Sequence, residues 1–154
     1  MEKALRACLA GGKFNGISEQ RSEAMRSVRS KANKTTEARL RFAMVQAGIV
    51  GWKIMPSSLL GNPDFIFSEI KLAIFTDGCF WHGCPVCHHS KIKSHSRFWT
   101  EKINRNRTRD RKVTRKLRSQ GWSVLRMWEH ELRDRAGLQR CIYKLRRLLN
   151  RYGV

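Results

Sequence analysis

The chain has 154 residues, enough for one domain with a single core. Its 32 Lys and Arg stand against 12 Asp and Glu, a formal net charge of +20, which points to a polyanionic partner: nucleic acid first, an anionic membrane surface second. No run approaches the ~18–20 apolar residues of a spanning helix, and charges break up the first nineteen residues, so neither a membrane span nor a secretory signal is expected.

Residues 1–19, with Gly11, Gly12 and Gly16, read as a flexible extension ahead of one domain over residues 20–154. Arg21 to Lys31 has the composition of a short basic helix with Met25 and Val28 on one side. Thr35 or Thr36 is a good N-cap, after which Leu40, Ala43, Met44 and Ala47 recur at helical spacing until Gly48. Trp52 to Met55 reads as a strand, and Pro56 to Pro63 as a loop. Asp64 to Phe67 and Lys71 to Thr76 are two further strands, close enough to form a hairpin around Ser68-Glu69. Phe98 to Gln120 is a long helix closed by Gly121, Trp122 to Trp128 a fourth strand, and Leu138 to Tyr152 an amphipathic helix with Ile142, Leu145, Leu148 and Leu149 as its stripe. The order predicts an α/β fold of the α+β sandwich kind: one mixed central sheet flanked by helices.

Chemistry concentrates in Phe75-Thr-Asp-Gly-Cys-Phe-Trp-His-Gly-Cys-Pro-Val-Cys87. Thiols spaced Cys79-x4-Cys84-x2-Cys87 can wrap a tetrahedral Zn²⁺, and Gly83 and Pro85 bend the chain between them. Such a knot presents Phe80, Trp81 and His82 on a rigid loop; His82 is then either a presented imidazole or itself a zinc ligand. Clustered thiols fit reduced, metal-bound cysteine in the cytoplasm better than disulfides, and Cys8 and Cys141 read as ordinary thiols. Asp64 opens one strand and Thr76-Asp77 ends its neighbour, which places a carboxylate beside a second oxygen ligand, the donor set of Mg²⁺. A turn-capping aspartate is the other reading of Asp64. Lys102 and Asn106 lie four apart on one helix and suit guanine and adenine edges, while the surrounding arginines fit backbone phosphates.

Six motifs in order carry a family resemblance: Arg21-Ser-Glu-Ala-Met-Arg-Ser-Val-Arg-Ser-Lys, Glu37-Ala-Arg-Leu, Asn62-Pro-Asp-Phe, Phe75-Thr-Asp-Gly-Cys-Phe-Trp-His, Phe98-Trp-Thr-Glu-Lys-Ile and Trp122-Ser-Val-Leu-Arg-Met-Trp-Glu. Over roughly residues 20–150 the chain resembles the very-short-patch repair (Vsr) DNA mismatch endonucleases, whose fold is a variant of the PD-(D/E)xK restriction-endonuclease core. The resemblance implies that Asp64 and the Thr76 carbonyl hold catalytic Mg²⁺, that His82 is the general base, and that Glu37 and Asp110 orient His82 or metal-bound water. It implies a fourth ligand at His130 for a structural zinc with Cys79, Cys84 and Cys87; His88 and His89 are rival donors. Phe80, Trp81 and Trp99 are expected to wedge between base pairs from the major groove and Met25 from the minor groove. Asp77 departs from the histidine of the best-known members. It is expected to support the metal site, because a second negative charge near Asp64 asks for a cation between them.

Together the resemblance and the residues imply a zinc-stabilised, Mg²⁺-dependent endonuclease. It is expected to nick one strand of duplex DNA 5′ of the thymine in a T·G mismatch, acting as a monomer ahead of repair proteins. The rivals are a related nickase with a modified or unmispaired target, and a non-catalytic zinc-containing DNA-binding module. Asp64 and His82 are expected to converge on one phosphate.

Overall fold

The structure, a computed structural model, describes residues 36–54, 59–87 and 96–153. The extension 1–19, the basic helix with Met25, Cys8, and the rival ligands His88 and His89 lie outside the described residues. Helix α1 spans Thr36–Gln46, and strands β1 (Lys53–Ile54), β2 (Phe65–Phe67) and β3 (Leu72–Asp77) follow. Helix α2 (Ser96–Ser119), strand β4 (Ser123–Trp128), a 3₁₀ turn (Glu129–Leu132) and helix α3 (Arg135–Asn150) complete the order.

The strands form one sheet in the order β1-β2-β3-β4. β1 with β2 and β2 with β3 run antiparallel, whereas β3 and β4 run parallel, from Leu72 opposite Ser123 to Asp77 opposite Trp128. The mixed sheet is therefore as expected, and its parallel pair follows from the length of α2, since parallel neighbours need a crossover. β2 and the first four residues of β3 are buried throughout instead of alternating, because helices cover both faces. On one side Leu40 and Met44 of α1 and Cys141, Leu145 and Leu149 of α3 pack on Phe65, Phe67, Leu72 and Ile74. On the other, Leu117 of α2 packs on Ile66, Ala73 and Phe75. Among the described residues no helix is long and apolar enough to cross a membrane.

Differences from the expected boundaries are small and have local causes. Met55 lies outside the described residues, and Trp52 precedes β1; its ring packs edge-on against Phe65 at 5.6 Å, and its indole N–H donates to the Ile49 carbonyl at 2.9 Å. Asp64 keeps the ladder bond, its N–H donating to the Ile74 carbonyl at 2.9 Å, although β2 begins one residue later. α2 ends where Gly121 takes φ +81° and the Trp122 N–H reaches back to the Leu117 carbonyl at 3.0 Å, a left-handed cap that favours glycine. α3 starts three residues before the expected Leu138 because the Asp134 side chain caps it, accepting from the Gly137 N–H at 2.7 Å. The 3₁₀ turn was not legible, being too short and polar to show a period.

Three chain segments meet at one sheet edge: the start of β2, the end of β3 and the end of β4. The loop after β3 and the turn after β4 must emerge there side by side, and the edge beyond the carboxyl ends of parallel strands is where open α/β sheets build sites.

Candidate active site and thiol cluster

Cys79, Cys84 and Cys87 come from the loop after β3 and His130 from the turn after β4. Their ligand atoms all lie within 4.8 Å of one another. His130 Nδ1 is 3.3 Å from Cys79 Sγ and 3.5 Å from Cys84 Sγ. A tetrahedral ion with Zn–S bonds of ~2.3 Å sets its ligands slightly under 4 Å apart, so spacing and donor type fit a closed four-ligand site. Burial pushes the Cys79 thiol up to about 12; the His130 N–H opposes this, and Cys87 and Cys84 add to it. The Cys79 thiol therefore keeps its proton until a cation displaces it. The loop is braced from the turn after β4: the Cys79 N–H donates to Glu129 Oε2 at 3.0 Å, and Glu129 in turn pairs with Arg133 at 3.0 Å. Gly83, at φ +62°, lies against α2 so closely that a Cβ there would sit 2.7 Å from Ile103 Cγ2.

Asp64 Oδ2 accepts from both the Thr76 N–H at 2.6 Å and the Thr76 hydroxyl at 2.9 Å. Burial raises the Asp64 carboxyl to about 7, against the Thr76 hydrogen bonds and together with the Glu37 carboxyl that faces it from α1. Two carboxyls in one part-buried place need either a shared proton or a cation. The donor set, two carboxylates beside a strand end, fits a hard divalent ion.

A second network lies one residue further along β3. Arg126, on β4, meets Asp77 side-on, Nε to Oδ2 at 2.6 Å and Nη2 to Oδ1 at 2.7 Å. His82 Nδ1 is 2.6 Å from Asp110 Oδ2 and 3.7 Å from Asp77 Oδ1. Burial disfavours the ionised Asp110, but the hydrogen bond and charge of His82, then Arg126 and Arg109, hold its carboxyl below the usual value. Burial opposes charge on Arg126 too, and it is overcome by Asp77, then Asp110, then Asp64. Asp77 thus has a guanidinium as counter-charge where its sequence position suggested a metal. The structure brings Asp64, Thr76 and Glu37 together, and beside them Asp77, His82, Asp110 and Arg126; the two groups adjoin through Thr76-Asp77 and share Arg126 electrostatically.

The expected wedges form a satellite cluster. Phe80 lies 5.2 Å from Trp81 and 5.3 Å from Trp99 between ring centroids, Trp81 lies 5.7 Å from Trp99, and Phe98 stands 5.0 Å from Trp99. Phe98 and Trp99 are buried, and Phe80 and Trp81 are partly buried against them, which leaves Phe80 and Trp81 the more accessible pair. Lys102 Nζ sits 5.6 Å from the Trp81 ring, 5.7 Å from Trp99 and 5.8 Å from Phe98, a cation over aromatic faces. Asn106 Nδ2 donates to the Trp81 carbonyl at 2.8 Å and ties the loop to α2. In this state both residues hold the wedge loop.

Sequence reasoning missed Arg126 and Glu129 as site residues, although both fall inside a quoted motif. A signal for Arg126 existed: a lone charge in the apolar run Ser123-Val-Leu-Arg-Met-Trp128 must find a counter-charge once a helix covers that face. Glu129 gave none, since its role depends on the 3₁₀ turn. A cleft of about 590 Å³ opens beside His82, lined by Asp77, Asp110, Arg126 and, from the exposed side of α2, Arg107, Arg111, Arg115 and Arg118.

The family model described as DNA mismatch endonuclease Vsr matches residues 17–89. Relatives include the type II nicking enzyme V.NmeDIP of Neisseria meningitidis serogroup C, 41% identical over 74% of this chain and 76% of that protein. The type II nicking enzyme V.NaeI of Lentzea aerocolonigenes is 39% identical over 72% and 68%. The DNA mismatch endonuclease Vsr of Escherichia coli K12 is 38% identical over 77% and 74%.

Proposed function

The chain belongs to the Vsr family of DNA endonucleases, and from that premise we propose that it nicks one strand of duplex DNA on the 5′ side of the thymine in a T·G mismatch. The observation that carries this reading is the junction at Thr76-Asp77, which sets the Asp64–Glu37 carboxyls beside the His82–Asp110 pair. Asp64 and the Thr76 carbonyl would hold Mg²⁺, which when bound would supply positive charge to the scissile phosphate and the leaving 3′ oxygen. Asp110 accepts from His82 Nδ1, so Nε2 is left to take the proton of the attacking water. Glu37 accepts hydrogen bonds from water at the Asp64 carboxylate. Cys79, Cys84, Cys87 and His130 would hold a structural Zn²⁺ that keeps the wedge loop in shape.

Phe80 and Trp81 enter the stack from the half-exposed end of the aromatic cluster, followed by Trp99, with Met25 from the opposite groove. Unstacking costs a few kcal/mol and least at a mispair, which biases the enzyme toward T·G. Lys102 and Asn106 then move from the wedge loop to base edges, and Arg107, Arg111, Arg115 and Arg118 on the exposed side of α2 take backbone phosphates. The working unit is the single domain 20–154 as a monomer in the cytoplasm, and repair proteins act on the nick it leaves.

The nicking enzymes among the relatives favour a second reading, a nickase with a different target. One assay separates the two: matched duplexes, identical except for T·G or a paired base at one position, incubated with protein and Mg²⁺. A nick 5′ of the thymine in the mispaired duplex alone supports the first reading. Equal nicking of both contradicts it.

A further inference from the structure

His82 Nδ1 has two carboxylates within reach, Asp110 at 2.6 Å and Asp77 at 3.7 Å, and one N–H cannot serve both. Asp77 is 3% exposed, so an unpaired charge there is costly and would turn to the nearest donor. Arg126 occupies both Asp77 oxygens, at 2.6 and 2.7 Å. Its Nη2 also stands 3.4 Å from Asp110 Oδ1, the oxygen that His82 does not use. The guanidinium is itself fixed in place, 4.7 Å above the Phe75 ring and with Nη1 3.4 Å from Thr114 Oγ1. A planar fork can do this for two carboxylates at once, whereas a lysine ammonium cannot.

We propose that Arg126 is a positioning residue for the nicking reaction: it withdraws Asp77 from His82 and steadies Asp110, so that His82 holds its proton on Nδ1 and offers Nε2 to the substrate side. The inference rests on the reading of His82 as the general base. It also reverses the role of Asp77, which becomes the anchor of Arg126 instead of a support for the metal.

The test compares Arg126→Gln, Arg126→Lys, Asp77→Asn and the double variant Asp77→Asn/Arg126→Gln in the full chain. Arg126→Gln frees a buried carboxylate beside His82 and is expected to slow single-turnover nicking of a T·G duplex by ~10–100-fold, the usual scale for groups that orient a reacting residue. DNA affinity and the Mg²⁺ concentration for half-maximal rate stay within about twofold of the parent. Arg126→Lys keeps the charge without the fork and loses rate as well. The double variant has no competing carboxylate and regains at least half of the logarithmic loss. A parent-like rate in Arg126→Gln or Arg126→Lys, or strictly additive losses in the double variant, overturns the proposal. Should Arg126→Gln fail to fold, the lysine and double variants decide.

A spectroscopic readout does not depend on nicking. At pH 8.5 the ¹⁵N shifts of His82 are expected to show the Nδ1–H form in the parent and a mixture in Arg126→Lys. An unchanged ring in the variant contradicts the clamp. If the parent leaves T·G duplexes intact, the reading of the function fails, while the His82 shifts still judge Arg126.

Discussion

The thiol cluster and the carboxylate edge begin two residues apart, at Cys79 and Asp77, yet they handle crowded like groups in different ways. At the cluster three thiols and an imidazole face one another, with the backbone N–H of His130 donating to Cys79, a donor set that fits a cation. At the edge the protein provides its own counter-charge: Arg126 pairs with Asp77 and Asp110, while burial and the neighbouring Glu37 raise Asp64 to about 7. In the proposed reading the first region is closed by a metal that stays bound. The second sets the Asp64 and Glu37 carboxyls next to an imidazole, the arrangement that the proposed catalytic ion would use reversibly.

Four experiments press on that contrast, in falling order of effect. His82→Gln removes the group that takes the proton, and nicking should fall by ~10²–10⁴-fold with DNA binding retained. A variant that nicks at the parent rate separates the imidazole from the chemistry. Cys84→Ala should strip the bound zinc and lower the melting temperature by ~10 °C or more, since several kcal/mol of metal binding are lost. The control Cys141→Ala should keep its full zinc content, because Cys141 is a core thiol on α3 that burial pushes up to about 11. Equal zinc in both variants would break the assignment of the cluster.

The third experiment turns on pH. Asp64 has its folded value raised to about 7, above the ordinary 3.8, so the metal-free fold keeps the proton that the unfolded chain releases. Its contribution to stability is complete below about pH 4 and drains away as pH rises to about 7. Mg²⁺ must displace that proton, so its apparent affinity should fall by about tenfold per unit below pH 7 and level off above it. Calorimetry from pH 5.5 to 8.5 that shows a flat affinity would remove Asp64 as a ligand. The smallest effect concerns the cleft: Arg111→Ala and Arg115→Ala should each reduce the slope of log affinity against log salt by about 1, with no change in mismatch preference.

How much of the molecule was legible in its sequence depends on where the information lies. The three thiols sit within nine residues, so spacing alone exposed them, and the apolar runs of β2 and β3 gave the sheet. His130 lies 51 residues from Cys79, and only a parallel β3–β4 pair joins them; no local pattern encodes that pairing, and it came from the family resemblance. Asp77 shows the same limit. Its charge was legible, but its ion-pair partner Arg126 stands 49 residues away on β4, where no local pattern points to it. Phe80 and Trp81 stood out in the sequence as aromatics of the thiol loop, whereas their packing on Trp99 depends on the loop folding back on α2. Residue type announces the chemistry; register decides which groups meet.

At the centre of the proposed reaction, the carboxylate at the start of β2 holds the ion that drives strand scission. Single-turnover nicking of a T·G duplex by the parent and by Asp64→Asn, with DNA binding measured on the same samples in Mg²⁺, tests this most directly. Equal binding, a nick by the parent and an intact duplex with the variant are the predicted results. A variant that binds and nicks like the parent would contradict them.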